Sequence, residues 1–163
     1  MSNVGTLKVT ARGDREIVLS RVFDAPRAQV FDALTKPELL KQWFGPRAWS
    51  LVVCDVDLRV GGSYRFVLRN KDGAEMGMGG TYREIARPER LVHTEIFDNW
   101  HAGESVVTTT LVEENGKTSF TGVVLYPTPE IRDEVVKSPM EKGVTESYQR
   151  LEELLVSSAG RAA

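Results

Sequence analysis

The chain has 163 residues, of which 41% are hydrophobic and 27% charged, and its formal net charge is −2. This length and composition suit one globular domain with a sizeable core, and the weak net charge argues against nucleic-acid binding. No apolar run reaches the length of a signal peptide or a membrane span. We therefore expect no contact with a membrane. A single cysteine, Cys54, excludes an internal disulfide, so we expect the protein in the reducing cytoplasm.

The first part of the chain predicts an arm, a strand and two short helices. Residues 1–14 are polar and punctuated by glycine, which is typical of a flexible arm or an added edge strand. Residues 16–23 form an apolar strand. Pro26 and Pro37 each suit the first turn of a helix, and Thr35 with Glu38 matches a capping box for the second helix.

Alternating apolar residues and turn signals then predict about six to seven strands. Tyr64, Phe66 and Leu68 alternate with polar residues, as in a strand with one buried face. Asn115-Gly116, between two apolar runs, is the strongest hairpin signal. The short connections imply antiparallel neighbours.

The C-terminal part predicts one long amphipathic helix. Apolar residues recur every three or four positions from Met140 to Leu155, and the helix is expected to end within 156–159, before a frayed tail at 158–163. We expect one domain over residues 15–157. A bent antiparallel sheet with only this helix to cover its inner face predicts an α+β helix-grip fold with an apolar cavity.

Several motifs carry a family resemblance. They are Val22-Phe23-Asp24-Ala25-Pro26, the segment from Pro37 to Pro46, Gly61-Gly62-Ser63-Tyr64-Arg65-Phe66, Gly80-Thr81-Tyr82-Arg83-Glu84-Ile85 and Arg87-Pro88-Glu89-Arg90-Leu91-Val92. Their order resembles the START-like (SRPBCC) superfamily. More narrowly, it is similar to the family named after the C-terminal domain of the activator of Hsp90 ATPase. The resemblance implies the same helix-grip (START/Bet v 1-like) fold.

His93 and Glu95 are the most ambiguous candidates. They are two apart in one predicted strand, so their side chains share a face with Phe97. If that face points inward, a histidine–carboxylate pair lies in an apolar pocket and could act as a general acid/base. If it points outward, the pair is a solvated cross-strand neighbourhood. The outward or merely structural interpretation is favoured because charged residues are seldom fully buried.

No metal, cofactor or catalytic residue is predicted. His93, Glu95, Asp98 and His101 match no ligand spacing, and no cysteine pair is present. No Gly-x-Ser-x-Gly motif occurs, and Cys54 lies in an apolar strand that is typical of an inert thiol. The sequence therefore indicates a binding protein rather than an enzyme.

The aromatic and methionine residues indicate a ligand cavity. Met76 and Met78 share a face and suit either core filling or a pliable cavity wall. A structural role is the default for large aromatic residues, but Trp49 and Trp100 are expected in loops and could instead line an entrance. The predicted cavity residues are Trp43, Trp49, Tyr64, Phe66, Met76, Met78, His93, Glu95, Phe97, Trp100, Met140, Val144 and Tyr148.

The main functional hypothesis is binding of a hydrophobic small molecule, such as a lipid, a polyketide or a flavonoid-like compound, by a monomer or homodimer. The family resemblance implies two alternatives. One is a co-chaperone-like module with a chaperone partner, which stimulates an Hsp90-type ATPase during stress. The other is an enzyme similar to polyketide cyclases and dehydratases.

Overall fold

The computed structural model describes residues 5–100 and 103–162, with side chains as far as Ser157. These residues form four helices and eight strands. In chain order they are β1 (Lys8–Arg12), β2 (Glu16–Phe23), α1 (Arg27–Thr35), α2 (Pro37–Trp43), β3 (Trp49–Val56), β4 (Ser63–Asn70), β5 (Glu75–Ala86), β6 (Arg90–Phe97), β7 (Ser105–Glu114), β8 (Lys117–Leu125), α3 (Pro129–Lys137) and α4 (Met140–Ala162).

All the strands belong to one antiparallel sheet with the order β1-β2-β8-β7-β6-β5-β4-β3. Strand β1 comes from the N-terminal arm, which adopts the edge-strand alternative over Lys8–Arg12. This strand brings the total to eight, rather than the predicted six to seven. Residues 1–4 of the arm lie outside the described part of the chain.

Turn chemistry fixes the hairpins where the sequence predicted them. Asn115 and Gly116 both have positive φ, 55° and 76°, which a two-residue turn between twisted strands requires. The β7–β8 pairing therefore closes directly at Glu114 and Lys117. Gly80 serves a different purpose: a Cβ there would overlap the backbone carbonyl oxygen of Thr94, so β5 and β6 approach each other too closely for any side chain.

The two short helices close one end of the sheet. Pro26 precedes α1 and Pro37 opens α2, as predicted. The buried indole Nε1 of Trp43 donates to the carbonyl oxygen of Ala33 at 2.8 Å, which ties the two helices together. The predicted capping box is wrong, because the Thr35 hydroxyl donates back to the Phe31 carbonyl and leaves α2 without a side-chain cap.

Helix α4 is the long C-terminal helix that the pattern predicted. Leu151 and Leu155 are fully buried on it, and its nearest helical neighbours are α1 and α2. It continues to Ala162, past the expected end and through most of the tail that was predicted to fray. None of the helices in the described residues is long and apolar enough to cross a bilayer. The curved eight-stranded sheet and this helix confirm the helix-grip fold.

Candidate functional site

A cavity of about 520 Å³ lies between the inner face of the sheet and helix α4. Strands β4, β5, β6 and β8, the end of α2 and the first turns of α4 supply its wall. Most of the lining is apolar, which matches the usual character of small-molecule sites. Among the described residues α4 packs chiefly on α1 and α2 rather than on the strands, which leaves space between the helix and the sheet.

All the predicted cavity residues line this space except Trp49. Trp49 was expected in an entrance loop, but it is the first residue of strand β3 and packs against the core. Its pairing with Asn70 at the end of β4 holds it in the sheet, away from the cavity. The expected entrance loop at Trp49 is therefore wrong. Strand β3 begins at this residue, only three residues after Pro46.

Strands β4 and β5 form one wall through matched pairs of side chains. Phe66 lies opposite Met78 and Leu68 lies opposite Met76 in the antiparallel register. Because such directly opposed residues share a face, all four face the cavity. The two thioethers give this wall side chains that adapt to the shape of a neighbour.

Aromatic rings form the opposite wall and the rim. Tyr148 of α4 makes edge-on or tilted contacts with Phe23, Trp43 and Phe120, with ring centroids 5.2–6.1 Å apart. Trp100, which follows β6, is 45% exposed and stacks edge-on against Phe97 at 5.1 Å. Trp100 therefore stands at the rim of the cavity, as the sequence suggested.

His93 and Glu95 point inward, contrary to the favoured interpretation. Both line the cavity, on the same face of β6 as Leu91 and Phe97. No hydrogen bond joins Glu95 to any other residue in the described part of the chain. Tyr64, Tyr126 and Tyr148 nevertheless lie near enough for its charge to raise their pKa values. The carboxyl group is thus enclosed by protein and faces the cavity space.

Burial shifts the pKa of every titratable group in this wall toward the neutral form. Enclosure raises the pKa of Glu95 to about 7. Burial lowers the pKa of His93, and a hydrogen bond to the Thr94 backbone acts in the opposite direction. The pKa values of Tyr64 and Tyr148 are raised, first by burial and then by the nearby Glu95 charge. Burial therefore favours the neutral forms of these groups, and Glu95 becomes mostly charged only above about pH 7.

A small hydrogen-bond network holds the His93 ring. The Tyr64 hydroxyl donates to the Thr94 carbonyl oxygen at 2.6 Å, and His93 Nδ1 lies 3.1 Å from both that oxygen and the Tyr64 hydroxyl. A carbonyl oxygen only accepts, so the contact with Thr94 requires the proton on Nδ1. Neutral His93 then has an unprotonated Nε2 with a free lone pair.

The structure adds cavity residues that the sequence analysis missed. Phe120, Val124 and Tyr126 reach the cavity from β8 and its end. Period-two alternation from Phe120 to Tyr126 would have identified them. Ser147 also lines the cavity, and its hydroxyl accepts from the Gly45 backbone nitrogen at 3.0 Å, which fixes α4 to the chain after α2.

Of the metal candidates, His93 and Glu95 line the cavity. Asp98 is exposed and paired with Arg65, and His101 lies outside the described residues. Within the described residues no group of three or more potential ligands could hold a metal ion. Cys54 is buried, and burial raises the pKa of its thiol to about 11.

A second depression of similar volume, about 540 Å³, runs along β3 and β4. Asp55, Asp57 and Arg65 are exposed there. This lining is charged and open to solvent, so it lacks the apolar enclosure of the cavity beneath α4. The cavity is the better candidate site.

Comparisons with known proteins agree with this architecture. A Rhodobacter sphaeroides protein of known structure is 32% identical, with a TM-score of 0.88 over 93% of this chain and 98% of that one. A Nitrosomonas europaea protein is 28% identical, with a TM-score of 0.82 over 92% of this chain and 99% of that one. An AHSA1 protein from Silicibacter pomeroyi, 21% identical, has a TM-score of 0.72 over 88% of this chain and 98% of that one, and shows the fold alone.

No curated protein is similar enough to count as a match. The family described as "Activator of Hsp90 ATPase homolog 1-like protein" matches residues 24–156, which is most of the chain and includes the strands and helices around the cavity. The chain therefore belongs to the activator of Hsp90 ATPase homolog 1-like family.

Proposed function

We propose that the protein binds a hydrophobic small molecule in the cavity between the sheet and α4. The observation that carries the proposal is the cavity of about 520 Å³ with its mostly apolar lining. Apolar surface that a ligand removes from water contributes roughly 25 cal/mol per Å². A lipid-like, polyketide-like or flavonoid-like molecule offers enough such surface to bind without a metal or a covalent bond.

The adaptable part of the wall supports the same proposal. Met76 and Met78 of β5 and Met140 of α4 meet around one space. Methionine side chains reshape at low cost, so this wall suits a ligand with an irregular outline. The aromatic rim at Phe97 and Trp100 gives an apolar molecule a first contact surface.

A two-dimensional amide NMR titration tests the proposal. The folded protein is titrated with a panel of fatty, steroidal, flavonoid and polyketide-like molecules. Saturable shifts that cluster on the cavity-lining parts of β4, β5, β6 and α4 are expected for at least one member. Shifts confined to the exposed residues of β1 and β3, or none at all, would contradict cavity binding.

The family match also supports a second candidate function, stimulation of an Hsp90-type ATPase. This activity would use the outer surface and leave the cavity empty. An ATPase assay of a purified Hsp90-type chaperone, with and without the protein, tests it. A concentration-dependent increase in ATP turnover that a cavity ligand does not alter would favour this second function.

A further inference from the structure

Two ionisable side chains interrupt the apolar wall of the cavity. His93 and Glu95 project from the same face of β6, two residues apart. Burying such groups costs free energy unless they gain hydrogen bonds. The cavity therefore contains polar groups that the binding of a purely apolar ligand does not explain.

Both groups are available as hydrogen-bond acceptors. No described residue hydrogen bonds to the Glu95 carboxyl group, while three tyrosines surround it: Tyr64 from β4, Tyr126 after β8 and Tyr148 from α4. His93 donates from Nδ1 to Thr94, and within the described residues its Nε2 has no partner. Both residues therefore line the cavity, and no donor to Glu95 or to His93 Nε2 is found within residues 5–100 and 103–162.

Positive charge is missing from the same wall. Neither lysine nor arginine is found among the described residues that line the cavity. The nearby guanidinium of Arg21 is already engaged by the Tyr148 carbonyl oxygen and the Glu152 carboxylate. An anionic ligand, such as a fatty-acid carboxylate, would meet the Glu95 carboxyl group without any cation to balance it.

We propose that the cavity selects uncharged apolar molecules that carry a hydroxyl group, and that this hydroxyl donates to Glu95 or to His93 Nε2. The inference rests on the proposed binding function and adds the ligand class to it. A ligand hydroxyl gives one of these acceptors a hydrogen bond inside the cavity. An ether of the same shape cannot donate, and a carboxylate brings a second negative charge.

Three probes with one ring system test this selection: 2-naphthol, 2-methoxynaphthalene and 2-naphthoate, titrated by calorimetry at pH 8. Because a hydrogen bond to a charged group contributes about 1.5–3 kcal/mol, 2-naphthol should bind roughly 10-fold to 100-fold tighter than 2-methoxynaphthalene. 2-Naphthoate should bind most weakly. At pH 6, below the raised pKa of Glu95, the carboxyl group is largely protonated and the preference for 2-naphthol should shrink.

Two variants locate the acceptor. Glu95→Met removes the carboxyl acceptor, so if the hydroxyl donates to Glu95 the affinity for 2-naphthol should fall towards that for 2-methoxynaphthalene, which stays within about 2-fold. A preference for 2-naphthol that Glu95→Met fully retains would place the hydroxyl on His93 Nε2. Glu95→Gln keeps a neutral acceptor of the same size and should retain part of the preference, and it provides a folded comparison if Glu95→Met is unstable. Equal binding of 2-naphthol and 2-methoxynaphthalene, or tightest binding of 2-naphthoate, would overturn the hydroxyl selection alone. Failure of all three probes to bind would overturn the proposed function itself.

Discussion

The guanidinium of Arg21 donates a hydrogen bond to the backbone carbonyl oxygen of Tyr148, so the inner face of β2 is joined to the middle of α4. Arg21 is only 5% exposed, and its guanidinium lies 4.6 Å from the centre of the Phe23 ring. A second contact reaches the Glu152 carboxylate at 3.4 Å. This anchor holds the helix beside the cavity that it helps to enclose.

Replacing Arg21 should destabilise the protein. Arg21→Met keeps most of the apolar stem but removes the donors to Tyr148 and leaves Glu152 without its cation. Hydrogen bonds of charged groups contribute about 1.5–3 kcal/mol, so we expect the free energy of unfolding to fall by about 2–3 kcal/mol. Urea denaturation followed by circular dichroism measures this loss.

Arg59→Met is the matched control. Arg59 also pairs with an acidic residue, Asp57, at 2.8 Å, but both side chains are exposed. Exposed ion pairs contribute at most about 1 kcal/mol, so this variant should unfold close to the wild type. Equal losses in the two variants would show that Arg21 does not anchor the helix.

Two glycines of β5 should differ in how much unfolding free energy is lost when each is replaced by alanine. A Cβ at Gly80 would overlap the Thr94 carbonyl oxygen, which is part of the sheet backbone. A Cβ at Gly77 would meet the ends of the Asp98 and Arg65 side chains, which can move aside. Gly80→Ala should therefore cost several times more unfolding free energy than Gly77→Ala, on the order of 2–4 kcal/mol against 1. Thermal melts compare them, and a reversed order would contradict the close approach of β5 and β6.

The raised pKa of Glu95 predicts a pH-dependent stability. Between about pH 4.5 and 7 the folded protein keeps the Glu95 proton and the unfolded chain releases it, so stability falls as pH rises through this window. Above pH 7 the loss should reach about 2–3 kcal/mol. Glu95→Gln removes this titration, so the variant should be the more stable protein at pH 8.

The comparison of the two proteins at each pH isolates Glu95. His93, whose pKa is lowered in the folded state, contributes stability that is lost as pH falls below its unfolded value near 6.5. Both proteins carry His93, so its contribution cancels in the difference. The difference should vanish near pH 4.5, and a constant difference from pH 4.5 to 8 would mean that Glu95 is not enclosed as described.

Alternation predicted much of the fold and of the cavity wall. In β4 the buried residues Tyr64, Phe66 and Leu68 take every second position, so their shared face could be read from the sequence. The same holds for Met76 and Met78 in β5, because a strand places every second side chain on one face. In β4 the residues between the buried positions are exposed or half-buried, which makes the inner face of this strand readable from the sequence.

The phase of β6 could not be predicted from alternation. Leu91 is buried on one face, and Val92 and Thr94 are buried on the other, so the strand has no exposed face to orient it. A register shift in the β5–β6 pairing between Tyr82 and Glu84 adds to this ambiguity. Alternation therefore could not place His93 and Glu95 on the inner face, and the general preference of charged groups for solvent favoured the wrong face.

The burial of Arg21 was not predicted, for a related reason. It occupies an inward position of β2 between Leu19 and Phe23, where the pattern expects an apolar residue. The acceptors of its two terminal nitrogens, the Tyr148 carbonyl oxygen and the Glu152 carboxylate, lie in α4, more than a hundred residues later in the chain. Local sequence contains no information about such partners, so only the folded structure explains the buried charge.

Filling the cavity is the most direct test of the central claim that the protein binds an apolar molecule beneath α4. Val144→Trp adds a large side chain at a cavity-lining position of α4, and Val156→Trp makes the same change at an exposed position, 52% accessible, of the same helix. Calorimetric titration with 2-naphthol should show at least about 10-fold weaker binding to Val144→Trp, a loss of roughly 1.4 kcal/mol, and unchanged binding to Val156→Trp. Equal affinity in both variants would contradict binding in the cavity.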